Sequence, residues 1–286
     1  MDWSRRREAF RAVLAGSACV HPGSVHDPIS ARIAEELGFE VGMFAGSIAS
    51  FTVLGAPDVI VLTLSEFAAQ ALRINRAVAD LPLLVDADHG YGNALNVMRT
   101  VEELEIAGVA GMSIEDTALP RVFGEKGASL LSLEEGVGKM RAALAARQDR
   151  RLAIFGRTSA IAINGIADAI ARARAYQEAG VDGLFFAGAM TRADVDAMAE
   201  AVRLPIVLGG VSADLQDKAY LASRGVRIAL QGHQPFSAAV QAIHDTLKAL
   251  REGVKPAELT GIASAAMMKR LTREAQYDAA AKDYLG

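Results

Sequence analysis

Along the chain, strand-sized apolar runs alternate with polar breaks and stretches of helical periodicity. The runs fall at 18–21, 41–44, 83–86, 111–114, 152–155, 182–186, 205–208 and 227–230. Several are continuously apolar, the pattern of parallel strands buried on both faces. Between them, 65–79, 94–107, 133–146, 165–179 and 193–202 repeat their apolar residues at helical spacing. Gly108, Gly180 and Gly225 stand where a helix would need a left-handed C-cap before the next strand. Strands that alternate with helices pair in parallel, and eight such units predict a closed (β/α)8 TIM barrel over residues 1–253. Residues 254–286 carry one more helical pattern, at 262–276, which a barrel does not need. This extension is expected to pack on a neighbouring subunit, the alternative being a helix that closes the barrel's own bottom. The stretch 46–64 is longer than a usual strand-to-helix loop and is a candidate gate.

Composition narrows the function classes. A prior of about 150 residues per domain would split 286 residues in two, but α/β barrels run to about 250 as one unit. A net charge of −4 argues against nucleic-acid binding, which needs a basic face. Cys19 is the one cysteine, so no disulfide framework or cysteine zinc site forms within one chain. The basic run Arg5-Arg6-Arg7 leads into an amphipathic helical pattern rather than the apolar core of a targeting signal. No apolar stretch is long enough for a membrane span, and a cytoplasmic protein is expected.

The polar residues gather where the predicted strands end, which is where barrel enzymes place their chemistry. Gly46-Ser47 follows the second strand, and Asp86-Ala87-Asp88-His89-Gly90-Tyr91-Gly92 follows the third. Glu115-Asp116 ends the fourth, Arg157-Thr158 the fifth and Gln231-Gly232-His233 the eighth. Asp86 and Asp88, two apart on an extended segment, point the same way and repel unless something positive lies between them. With Glu115 they form an oxygen-only set suited to Mg²⁺ or Mn²⁺. The alternatives are pairing of these carboxylates with Arg157 or Arg121, or a loop-capping role for Asp88. Arg157 is placed to clamp a carboxylate or phosphate, or to pair with Glu115 or Asp116. Ser47 could offer its hydroxyl to a substrate carboxylate, or be a turn residue. Among the histidines, His233 is the functional candidate. His21 and His26 read as structural, His89 as a neighbour of the acidic pair, His244 as surface, and Cys19 as a buried small side chain.

Together, the 86–92 run, Ile114-Glu115-Asp116, Phe155-Gly156-Arg157-Thr158, Pro22-Gly23, Asp27-Pro28-Ile29-Ser30-Ala31 and Gly55-Ala56-Pro57-Asp58 resemble the phosphoenolpyruvate mutase/isocitrate lyase superfamily over nearly the whole chain. The resemblance implies Mg²⁺, a bound 2-oxo acid, and a homotetramer, a dimer of dimers that swap the C-terminal helix. Lyases of that superfamily carry a cysteine- and histidine-containing loop after the Glu-Asp pair. Here Pro120-Arg121-Val122-Phe123-Gly124-Glu125-Lys126-Gly127 has neither residue. That Phe-Gly loop, the run Gly92–Arg99 and Gly232-His233 look like the bacterial oxaloacetate decarboxylase branch instead. By this resemblance Ser47, Arg157 and His233 contact substrate, with Arg157 and His233 catalytic. Asp86 binds the metal directly, and Asp88 and Glu115 act through water. The implied reaction is Mg-dependent decarboxylation of oxaloacetate to pyruvate and CO₂ through a metal-stabilised enolate. The competing readings are a carbon–carbon lyase acting on methylisocitrate or dimethylmalate, a phosphonopyruvate-type enzyme, or a barrel that only binds 2-oxo acids. Gly209-Gly210-Val211 lacks the polar or aromatic residue expected after the seventh strand.

Overall fold

The computed structural model describes residues 2–188, 190–210 and 212–286. Among them, eight strands form one parallel sheet in sequence order: β1 (Gly23–Ser24), β2 (Gly42–Phe44), β3 (Leu83–Asp86), β4 (Gly111–Glu115), β5 (Ala153–Thr158), β6 (Gly183–Phe186), β7 (Ile206–Leu208) and β8 (Val226–Ala229). The sheet closes through Val20, whose N–H donates to Arg227 O and whose carbonyl accepts from Ala229 N–H. This is the (β/α)8 TIM barrel that the alternation predicts.

Seven strands lie within a few residues of their predicted places. The first does not. Val20 pairs with β8, but the pairing with β2 runs through Gly23 and Ser24. Pro22 between them has no N–H to donate, so it divides the first strand into two short ladders.

Helix ends follow local chemistry. Thr63 and Glu66 close a reciprocal capping box before the helix Leu64–Ala77, and Gly180, at φ 99°, ends Ile166–Ala179. The helix Ser4–Ala15 plugs the barrel bottom, where Phe10 meets Phe155 edge-on at 6.0 Å. A Cβ on Gly111 would fall 2.5 Å from the Phe10 ring, so the plug requires glycine there. Arg6 and Arg7 are buried and donate to carbonyls in the last turns of two helices, Asn75 O and Glu105 O among them. The basic run is part of this plug.

The stretch 46–64 begins as a short helix, Gly46–Ala49, and widens into a π turn, Ser50–Leu54. Further on, Ile60 sits at φ 61°, a left-handed conformation that is costly for a β-branched side chain.

The last elements divide differently from the pattern's suggestion. Helix Ala265–Thr272 leans on helix Pro28–Glu36 of its own chain: Leu271 is buried, and Arg32 donates to Leu271 O at 2.7 Å. Helix Gln234–Arg251 buries no residue. Val240, Ile243, Leu247 and Leu250, spaced as one helical stripe, are all exposed. Among the described residues no helix is long and apolar enough to cross a membrane.

Candidate functional site

Asp86 is the last residue of β3, and the chain then turns sharply. Asp88 and Tyr91 both hold left-handed backbones, at φ 46° and 57°. Such conformations persist where the surroundings over-determine them, and the loop is held from several sides. Asp88 N–H donates to Asp86 Oδ1 at 3.3 Å, and Glu115 N–H to Asp88 O at 2.8 Å. Thr100 Oγ1 donates to Gly90 O, and the buried ammonium of Lys139 to His89 O at 2.7 Å.

This loop brings Asp86, Asp88 and Glu115 together with Arg157, across adjacent strand ends. Arg157 pairs with Asp86, and its Nη2 lies 3.7 Å from Glu115. Ser113 Oγ donates to Asp86 Oδ1 at 3.1 Å, and Thr117 Oγ1 to Glu115 Oε2 at 2.7 Å. The guanidinium lies 5.3 Å from the centre of the Phe185 ring, a cation–π contact that fixes its plane. Of the pairings the sequence left open, Arg157 takes Asp86 and Glu115. Asp116 instead pairs with Arg172 and accepts from Tyr176 at 2.6 Å, and Arg121 lies exposed on its loop.

The cluster carries more negative than positive charge. Burial pushes Asp88 well above the usual carboxylate range, and the charges of Asp86, Glu115 and Asp58 add to the shift. Burial raises Glu115 too, with Arg157 opposing. Asp58, accessible at the rim, is raised by partial desolvation and by Asp86. Burial works against the charge of Arg157, but Asp86 and Glu115 outweigh it and hold the guanidinium ionised. Tyr91 Oη and Arg157 Nε are among the polar atoms that stay buried without partners. Among the described residues no three acidic, histidine or cysteine side chains converge into a ready-made coordination shell. The carboxyls lean on Arg157 instead.

Ser47 is half-buried in the first turn of Gly46–Ala49, the segment whose Gly46 abuts Asp88. His233 precedes helix Gln234–Arg251, and its Nδ1 lies 2.8 Å from Ser24 Oγ at the end of β1. Phe236, one turn into that helix, stacks on Phe51 of the 46–64 segment at 5.8 Å and meets the His26 ring edge-on. A cavity of 770 Å³ opens between this helix and Pro28–Glu36, reaching Ser24 and Gly232.

The remaining histidines and the cysteine take structural places. His21 Nδ1 lies 2.7 Å from Ala229 O, His244 is exposed beside Asp245, and burial lowers His89 to about 4. Cys19 is buried and its thiol is pushed up to about 11. Ser24, Lys139, Tyr176 and Arg172 were not singled out from sequence. Ser24 escaped because the first strand was placed too early. The other three lie on helices whose pattern says only which face is buried. Asp58 had a signal, the Gly-Ala-Pro-Asp motif, but no assigned role. Gly209 leaves room for the Phe185 ring, since a Cβ there would fall 2.8 Å from it; Val211 lies outside the described residues.

Residues 10–251 match the family model described as phosphoenolpyruvate phosphomutase. A protein of Bradyrhizobium diazoefficiens named oxaloacetate decarboxylase is 59% identical over 100% of this chain and 99% of its own. One of the same name from Rhodopseudomonas palustris is 58% identical, with the same coverage. Among solved structures, phosphonopyruvate hydrolase in complex with oxalate and Mg²⁺ superposes with a TM-score of 0.87 at 29% identity, over 98% of this chain and 99% of that one. 2,3-Dimethylmalate lyase superposes with a TM-score of 0.83 at 27% identity, over 98% of each chain.

Proposed function

The chain belongs to the phosphoenolpyruvate mutase/isocitrate lyase superfamily, and we propose that within it the chain is a carboxy-lyase that converts oxaloacetate to pyruvate and CO₂. The observation that carries this reading is the make-up of the mouth: carboxyls, a guanidinium and a histidine whose burial favours the uncharged ring, with no accessible thiol. Cleaving a substituted malate requires a base for its hydroxyl and an acid for the leaving carbanion. The loop 120–127 offers neither a cysteine nor a histidine, and Cys19 is buried with its thiol kept protonated. Decarboxylation of a 2-oxo acid needs only a clamp, a sink for electrons and a proton for C3.

The site's charge imbalance fits a divalent cation. Asp86, Asp88, Glu115 and Asp58 share the single guanidinium of Arg157, and the donors at the centre are oxygens. Asp86 would hold the ion directly, and Asp88 and Glu115 through water. When bound, the ion, Mg²⁺ or Mn²⁺, supplies positive charge for the electron pair that leaves the C3–C4 bond.

The chain's own groups do the rest. Arg157, held over the Phe185 ring, clamps the C1 carboxylate from one side, and the hydroxyl of Ser47 reaches it from the start of the 46–64 segment. His233 faces the C4 carboxylate and orients it as the C3–C4 bond breaks and CO₂ departs, after which C3 of the enolate takes a proton from water to give pyruvate. Asp58 and Phe51 stand on the 46–64 segment at the rim of the mouth, where that segment would close over bound substrate.

The catalytic barrel is read as residues 1–253, with 254–286 as a helical extension. The exposed stripe Val240–Ile243–Leu247–Leu250 fits against neighbouring copies in a cytoplasmic homotetramer in which the C-terminal helices cross between subunits.

The test is pyruvate release from oxaloacetate, phosphonopyruvate, 2,3-dimethylmalate and methylisocitrate, with and without Mg²⁺ and corrected for the ion's own catalysis. Oxaloacetate should be turned over, with oxalate inhibiting. Arg157→Lys should lower kcat/KM by about a hundredfold, because a point charge replaces a bidentate fork. His233→Ala should depress kcat far more than metal affinity, and Asp86→Ala should abolish both. Absence of cation-dependent oxaloacetate turnover would end this reading.

A further inference from the structure

Strand β1 is only two residues long, yet it fixes Ser24 tightly. The N–H groups on either side, those of Gly23 and Val25, donate to Val41 O and Met43 O of the neighbouring strand at 2.9 Å. A Cβ on Gly23 would meet Ala34 and Phe39 in the helix layer. Side chains alternate along a strand, so Ser24 points the other way, toward the barrel mouth. There its Oγ stands 2.8 Å from Nδ1 of His233.

His233 precedes the helix Gln234–Arg251, but its ring does not cap that helix: no side-chain cap bond forms, and its backbone is non-helical at φ −120° and ψ 35°. The imidazole is thus not committed to the local turn, and Ser24 is what orients it. A serine hydroxyl has one proton to give, and Nδ1 of His233 lies within its reach, so the direction of this bond sets the tautomer of the ring. Burial disfavours the charged imidazolium, against the pull of Asp86.

We infer that Ser24 is a positioning residue that donates to Nδ1 of His233 and so fixes the ring as the neutral Nε2–H tautomer, which presents a hydrogen-bond donor to the anionic substrate. This rests on the decarboxylase reading and refines it, because it gives the histidine a defined job. A carboxylate that is about to become neutral CO₂ should not be held by a full positive charge. An imidazolium would stabilise the ground state that the reaction must leave. A neutral N–H orients the carboxylate and releases it.

Two independent measurements test the inference on the full-length protein. In the first, the chain is labelled with ¹⁵N-histidine, and long-range ¹H–¹⁵N spectra read the tautomer without any substrate. His233 should show a protonated Nε2 and an unprotonated Nδ1, and Ser24→Ala should shift the ring toward a tautomer mixture. In the second, kcat/KM for oxaloacetate should fall about tenfold in Ser24→Ala, the scale of one lost side-chain hydrogen bond. Ser24→Thr should recover most of that loss, since it keeps the hydroxyl that donates to Nδ1. In a His233→Ala background, Ser24→Ala should change nothing further. An Nδ1–H tautomer in the unaltered chain would overturn the inference. So would a full-sized effect of Ser24→Ala in the absence of His233, or undiminished kcat/KM in Ser24→Ala alone. A chain that shows the expected tautomer but does not turn over oxaloacetate would instead count against the proposed function, leaving the Ser24–His233 assignment standing.

Discussion

Gly46 and Asp88 are packed so closely that a Cβ built on Gly46 would lie 2.4 Å from one carboxyl oxygen of Asp88 and 2.6 Å from the other. The glycine's φ is not in the left-handed region, so its backbone alone would tolerate alanine. It is the approach of the carboxylate that forbids one. The start of the 46–64 segment and the turn after β3 thereby set each other's position.

Gly46→Ala should displace the Asp88 carboxyl or push the 46–64 segment outward, with either outcome disturbing the acid cluster. Divalent-cation affinity, read by isothermal titration, should fall by about tenfold or more, while the barrel still melts cooperatively. An affinity equal to that of the unaltered chain would mean that Asp88 is not part of the cation site.

The raised values of Asp88 and Glu115 give the site a pH signature. Burial favours their protonated forms in the folded chain, so they hold protons at a pH where the unfolded chain has released them. In the cation-free protein their contribution to stability is therefore largest on the acid side. It declines as pH rises from the ordinary carboxylate value through the raised ones. A cation needs the ionised carboxylates, so its affinity climbs over that same interval. The increase in melting temperature on adding Mg²⁺ should grow as pH rises above the ordinary carboxylate range. Taking the difference with and without Mg²⁺ at each pH removes the contribution of other titrating groups. A difference that stays flat would sink this account.

Tyr176 supports the cluster from behind β4 and β5. Its ring fills a slot that a Cβ on Gly136 or Gly156 would close, and its hydroxyl donates to Asp116 beside Glu115. Tyr176→Phe keeps the ring and removes the donor, leaving a buried carboxylate with one partner fewer. The cost should be about 1–3 kcal/mol in urea denaturation. A midpoint identical to that of the parent would show that water replaces the phenol without loss.

The barrel was legible because continuous apolar runs are what strands buried on both faces require, and β3 to β8 announce themselves that way. β1 was not, because its apolar run at 18–21 belongs to the closure with β8. The pairing with β2 falls after Pro22, on a Gly-Ser dipeptide with no strand character of its own. Asp86, Asp88, Glu115 and Arg157 were visible because charged residues at strand ends break the pattern. Lys139 and Arg172 were hidden for the opposite reason. On a helix, a cation at a core-facing position reads like any polar neighbour until the loop that it holds is folded against it. The Phe51–Phe236 stack joins segments far apart in sequence, which no local pattern can encode.

Phe236 has a consequence for how the enzyme takes up its substrate. The same ring touches Phe51, on the 46–64 segment proposed as the cover, and belongs to the helix that His233 precedes. Any outward swing of the cover slides one aromatic face off the other and loosens the first turn behind the histidine. Opening to admit a ligand and disarming the residue that orients it are then a single movement. On that reading, the site would be assembled only while it is shut.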